Sequence, residues 1–147
     1  MPFAFDMPPV EQVIDEVRRD PDARIIPGTK GDQLIMTDIA ETFRKVPLAD
    51  TVHEQFQMSH FKLGNFYGPG QLFHGFEEQV MDPWRNALAQ LGFTWTRCYP
   101  ILFISGPGAA TNYHMDRSHV IAWQRHGTKC FTGLKDPDKW APLEERM

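Results

Sequence analysis

Apolar residues near the start of the chain, Val10, Val13, Ile14 and Val17, recur at the spacing of one helix face. Pro8-Pro9 suits a helix start. Asp20-Pro21 stops it, because the residue before a proline is pushed out of the α region. The pattern predicts an amphipathic helix over residues 8–20, with Glu11, Asp15, Glu16, Arg18 and Arg19 on a solvated face. Arg24-Ile-Ile-Pro-Gly reads as a brief extended piece entering a turn, and Gln33-Leu-Ile-Met as a strand. Thr37-Asp38 would cap a short helix running to Lys45, with Ile39, Phe43 and Val46 on its buried side. Residues 54–63 alternate imperfectly, as another strand would, and Gly64 through Gly70 is a loop. The helical pattern is strongest from Gln71 to Leu91, through Phe73, Phe76, Val80, Trp84, Leu88 and Leu91. Pro83 interrupts it. Asp82 as cap and Pro83 at the first helical position imply two consecutive helices, or one with a kink. His74, Glu77 and Glu78 lie beside this stripe as a surface cluster.

After Gly92 the texture changes. Thr94 to Ser105 is dense in aromatic and branched residues, and Gly106-Pro107-Gly108 then makes a turn. Ala110–Asp116, Ser118–Gln124 and Thr128–Leu134 follow as short strands divided by compact turns. Strand after strand with tight turns predicts an antiparallel meander or Greek key. The tail from Lys135 is polar with one Trp.

Composition narrows the classes. At 147 residues with eleven Phe, four Trp and three Tyr, the chain is one domain able to bury a core. Twelve prolines and eleven glycines favour a β-rich or mixed fold over a helix bundle. A net charge of −4 with no basic run argues against a nucleic-acid surface. No apolar run approaches the ~20 residues of a membrane helix, and the N-terminus has no signal-peptide pattern. These features lead to the expectation of a cytoplasmic protein. Cys98 and Cys130 have no zinc-ribbon spacing and read as reduced, buried thiols.

The chemistry-bearing stretch runs from Thr111 to Lys129. His114 and Asp116 are two apart in a strand-like run, and positions two apart share a sheet face. An imidazole beside a carboxylate makes two-thirds of a 2-His-1-carboxylate iron site. An apolar run ending in Gln124 follows, then Gly127 and Lys129. Strict alternation points Thr111 away from His114, unless a bulge re-aims it.

This order resembles the JmjC and cupin-like Fe(II)- and 2-oxoglutarate-dependent oxygenases, including the branch of the asparaginyl hydroxylase acting on hypoxia-inducible factor. There an H-x-D pair is followed by an apolar strand ending in Gln, a Gly turn and a Lys. The resemblance extends from about Tyr99 to Leu134, and Leu102 to His114 is similar to the family's strand-and-glycine lead-in. It implies an α+β chain in which a helical and strand preface (1–93) precedes the first half of a double-stranded β-helix, a cupin-like jelly roll (94–134), with a polar tail (135–147). It implies that His114 and Asp116 ligate Fe(II), and that Lys129 and Thr111 hold the distal carboxylate of 2-oxoglutarate. The substrate would be a protein side chain or a small molecule. Val120 stands where the family often has Asn, and no histidine follows His126 to serve as the distal ligand. His119 and His126 are the substitutes within the chain, as in a cupin metalloenzyme that uses no oxoacid. The count of about four strands against the barrel's eight leads to the expectation of a truncated domain, or of self-association through unpaired strands. A non-catalytic cupin-like binding module is the remaining alternative.

Overall fold

In the computed structural model, residues 5–27, 45, 56–111, 116, 118–133, 135, 136 and 139 are described. The chain divides into two compact units, Met1–Ala110 and Thr111–Met147.

The first unit opens on α1 (Val10–Val17). Pro9, in extended geometry (φ −51°, ψ 138°), precedes it and accepts the Val13 N–H at 3.0 Å. Val13, Ile14 and Val17 are buried, as the spacing predicts. Glu11 lies in the first turn, where a negative charge favours the helix dipole. Asp15 bridges Arg18 (2.7 Å) and Arg19 (2.6 Å), which lets Arg18 be buried with its charge compensated. The helix gives way to Asp20-Pro21-Asp22, where Asp20 Oδ1 accepts the Asp22 N–H at 2.7 Å and tightens the reversal.

Three strands form one antiparallel sheet in the order β1 (Arg24–Pro27), β2 (Phe56–His60), β3 (Leu102–Ser105). In register, Ile25 faces Met58, Met58 faces Ile104, and His60 faces Leu102. Phe56, Met58 and His60 share the buried face of β2, while Gln57 and Ser59 project to the other side. That other face carries Phe61, which stacks edge-on with Phe103 and lies under the Arg24 guanidinium at 4.9 Å. Of the expected preface elements, the strand at 33–36 and the helix from Thr37 lie outside the described residues, apart from Lys45, which is helical.

Beyond β2, a 3₁₀ turn (Leu63–Phe66) starts the region read as a loop. Phe66, Phe73 and Phe76 meet edge to face at 6.1–6.2 Å, and Phe5 closes on Phe76 at 5.0 Å. This aromatic cluster is the centre of the core. The long helical pattern resolves into a π-helical turn (Glu77–Met81) running into α2 (Asp82–Gln90). Pro83 sits in the first turn of α2, as predicted, and Asp82 is itself helical, with Met81 in the capping position. The predicted stripe does not hold past the π turn. Val80 is buried, Trp84 and Leu88 are half-buried, and Leu91 is exposed. A π turn closes i→i+5 bonds and so adds a residue. Phe73 lies before the helix: residues 72–75 are turn, and Gly75 at φ 79° breaks the run ahead of Phe76. The π turn then shifts the phase of α2 by roughly 100° relative to Phe76.

Only Leu102–Ser105 of the dense 94–105 run is a strand. Of the three strands expected after Gly108, most of Ala110–Asp116 lies outside the described residues, and none of the described residues of Ser118–Gln124 or Thr128–Leu134 is in a strand. Residues 118–133 run without ladder partners, leaving Val120 (58%), Ile121 (66%) and Phe131 (71%) exposed. The α+β character holds: helices and a small antiparallel sheet lie in one chain. Cys98 is half-buried and Cys130 exposed, both as free thiols, which corrects the expectation that both are buried.

Candidate functional site

The lead-in to the H-x-D stretch is well anchored. Gly106 N–H extends the β2–β3 ladder to Phe56 O at 2.8 Å, and Gln57 Nε2 donates to Ala110 O at 2.7 Å. Gly108, at φ 72°, makes the reversal between them in a conformation that suits glycine.

Of the residues singled out by sequence, His114 lies outside the described residues, while Thr111, Asp116 and Lys129 are described and all exposed. Lys129 extends its ammonium to 5.8 Å from the Phe131 ring. Gln124 turns its amide onto the chain itself, donating to His126 O at 2.6 Å. Gly127 follows at φ 68°. The Gln124-to-Gly127 segment is therefore a bend held by the Gln124 side chain. Arg125 lies 4.6 Å over Trp123. The two substitute histidines, His119 and His126, are exposed.

The donor chemistry suits ferrous iron in kind, a carboxylate at Asp116 and an imidazole at His114. It does not suit it in number. Among the described residues no group of three His, Cys, Asp or Glu side chains is placed to share a metal ion. An exposed carboxylate and ammonium also act through a high dielectric, where a single charge contact is worth only about 0–1 kcal/mol.

A second polar cluster, which sequence reasoning missed, lies in the first unit. His60 ends β2 with 0% exposure. Its Nδ1 accepts the Lys62 N–H at 3.1 Å, and its Nε2 lies 3.3 Å from Asp20 Oδ1. That second approach is out of line for a hydrogen bond, so Nε2 has no hydrogen-bond partner among the described residues. Asn65 Nδ2 bridges Asp20 Oδ2 and Asp22 Oδ2, each at 3.2 Å, and Lys62 Nζ meets Asp22 Oδ1 at 2.9 Å. Burial alone would raise the Asp20 carboxyl. The Asp22 N–H, His60 and Asn65 outweigh it and hold the group below its ordinary range. The Lys62 and Asn65 bonds do the same for Asp22. The signal for this cluster was present in the chain: Phe56 and Met58 set a period of two whose next inward position is His60.

Arg85 makes a third constellation. Its Nε and Nη2 donate to Cys98 O at 3.2 and 2.8 Å, and its Nη1 meets Glu77 and, at 3.3 Å, Asp82. Hydrogen bonding to Glu77 raises its already high pKa. Burial, with Glu77 nearby, pushes the Tyr67 hydroxyl up as well, and that oxygen is buried with no hydrogen-bond partner among the described residues.

No helix among the described residues is long and apolar enough to cross a membrane. Compared with protein-family models, curated proteins and solved structures, the chain matches none.

Proposed function

We propose that residues 111–129 are the ligand-binding half-site of an Fe(II)- and 2-oxoglutarate-dependent oxygenase of the JmjC and cupin-like type. One observation carries this reading: His114-x-Asp116, Gln124, Gly127 and Lys129 stand in the order and register of that family. Two structural features support it. The positive φ at Gly127 matches the turn that the pattern requires before the lysine. β3 and the Gly106–Gly108 turn also form a strand-and-glycine entry to the motif. In this reading His114 and Asp116 ligate the metal, while Lys129, with Thr111, holds the distal carboxylate of the oxoacid through a charge-assisted hydrogen bond. Bound ferrous iron would supply oxidising chemistry toward a protein side chain or a small molecule. Two protein ligands are one short of that site's three, so the proposal is confined to binding.

The test is titration of the full chain with Mn(II), as a redox-inert stand-in for Fe(II), and with 2-oxoglutarate. Weak metal binding is expected, lost in His114→Ala and in Asp116→Ala. In Lys129→Ala the metal is retained and oxoacid affinity drops about tenfold or more. Metal binding that is unchanged in both ligand variants overturns the reading.

A second reading, a non-catalytic binding or assembly module, is favoured by the exposure of Val120, Ile121 and Phe131. It expects no stoichiometric metal, together with concentration-dependent self-association in sedimentation that Ile121→Ser weakens.

A further inference from the structure

His60 is fully buried, titratable and unused by the proposed site. A main-chain N–H can only donate, so the Lys62 contact fixes the ring as the tautomer with Nδ1 bare and the proton on Nε2. That tautomer leaves Nε2 no lone pair for a metal, although two aspartates stand close. The Nε2–H instead lies near the Asp20 carboxylate, 3.3 Å from Oδ1, as a charge neighbour and not a hydrogen bond.

We propose that His60 is a proton-operated latch between two turns: the neutral ring holds the Lys62 main chain, and a second proton can enter only by releasing it. The sole basic atom left on the ring is the Nδ1 that accepts the Lys62 N–H. Once protonated there, the ring presents a donor to a donor across 3.1 Å, and the contact becomes repulsive. The charge gained is drawn the other way. Among the described residues, the charged groups near the ring are Asp20 and Asp22 from the α1–β1 turn, with the ammonium of Lys62, two residues past the strand, held on Asp22 at 2.9 Å. Phe66, from the 3₁₀ turn, offers only an edge-to-face contact at 5.2 Å. Protonation therefore strengthens the hold on the Asp20–Asp22 turn and loosens the Lys62–Phe66 turn. The Lys62–Asp22 and Asn65–Asp20 contacts span the two turns, so they are the ones that shift when the latch opens.

The experiment is residue-resolved amide exchange on the full chain across pH, corrected for intrinsic rates, with His60 titration followed by its ring C–H shift. Lys62 N–H protection is expected to fall about tenfold as His60 titrates, while the Ile104 amide in the sheet keeps its protection. Nitrogen correlation spectra at neutral pH are expected to show the proton on Nε2. In His60→Asn the side-chain oxygen occupies the Nδ1 position, so Lys62 protection becomes independent of pH. The proposal is overturned by a proton on Nδ1 at neutral pH, or by Lys62 protection that does not change through the titration. A ring that stays neutral until the whole chain unfolds overturns it equally. The last three readings use the unmodified protein, so they decide the matter even if His60→Asn does not fold.

Discussion

The guanidinium of Arg85 meets two carboxylates and one main-chain carbonyl, and no other cation could do the same. Its fork reaches Cys98 O with two N–H groups while a third turns to Glu77 and Asp82. A lysine is a point charge and supplies one direction at a time. Arg85→Ala is expected to cost about 1–2 kcal/mol in urea denaturation, discounted for partial exposure, and Arg85→Lys to recover less than half of it. Full recovery by lysine would show that the charge matters and the fork does not. Asp20 supports a prediction in pH. A carboxyl held low in the folded state contributes stability that is present above its unfolded pKa and is lost as pH falls through the folded one. The window therefore lies below about pH 4. Denaturation midpoints measured against pH should fall there for the natural chain, and less steeply for Asp20→Asn, which starts lower at neutral pH. At this scale the sequence was informative about identity and poor about environment. His114, Asp116 and Lys129 were conspicuous by spacing, whereas His60 is conspicuous only once its burial is known.

Local periodicity served α1 and β2 well because each buries a single face of regular geometry. Val13, Ile14 and Val17 lie where a 3.6-residue repeat puts them, and Phe56 and Met58 where a period of two does. The repeat from Phe73 to Leu91 misled because it runs through two breaks: Gly75, at φ 79°, separates Phe73 from the helix, and the π turn at Glu77–Met81 then shifts the phase. The two strands expected over Ser118–Gln124 and Thr128–Leu134 fail in a different way, while most of the one expected over Ala110–Asp116 lies outside the described residues. Alternation identifies residues able to form a strand, yet a strand exists only with a neighbour to pair with, and none of residues 118–133 has one. Glycines give a paired test of local geometry. Gly75 has φ 79°, and an added Cβ would come within 2.6 Å of the movable Gln79 amide. Gly75→Ala should cost about 1–2 kcal/mol, mainly from the backbone. Gly64, in the 3₁₀ turn, would place a Cβ in ordinary contact with Tyr67 at 4.0 Å. Gly64→Ala should stabilise by roughly 0.4–1 kcal/mol. Urea midpoints that move in the same direction for both would contradict this assignment.

Across the whole molecule, burial is unevenly distributed. Every buried apolar side chain among the described residues falls between Phe5 and Met81, and none belongs to the second unit. Ile121→Ser and Phe131→Ser are therefore expected to change the unfolding free energy of the Phe66–Phe73–Phe76 core by no more than about 0.5 kcal/mol in urea denaturation. Either substitution costing as much as a core truncation, about 3 kcal/mol, would mean that the second unit helps hold the first. The mixed α+β class was legible from the chain because helix and strand periods alternate along it. A jelly roll was not, since it depends on which strands meet across two sheets and no local pattern encodes that pairing. The placement of the core also has a consequence in time. A ribosome delivers the chain from its N-terminus, and N-terminal units fold first. All of those buried side chains have been synthesised before Asp82 is added, so the aromatic cluster can assemble while the H-x-D stretch is still untranslated. Lesions between Thr111 and Lys129 should then alter what the finished protein binds while leaving the yield of folded first unit unchanged.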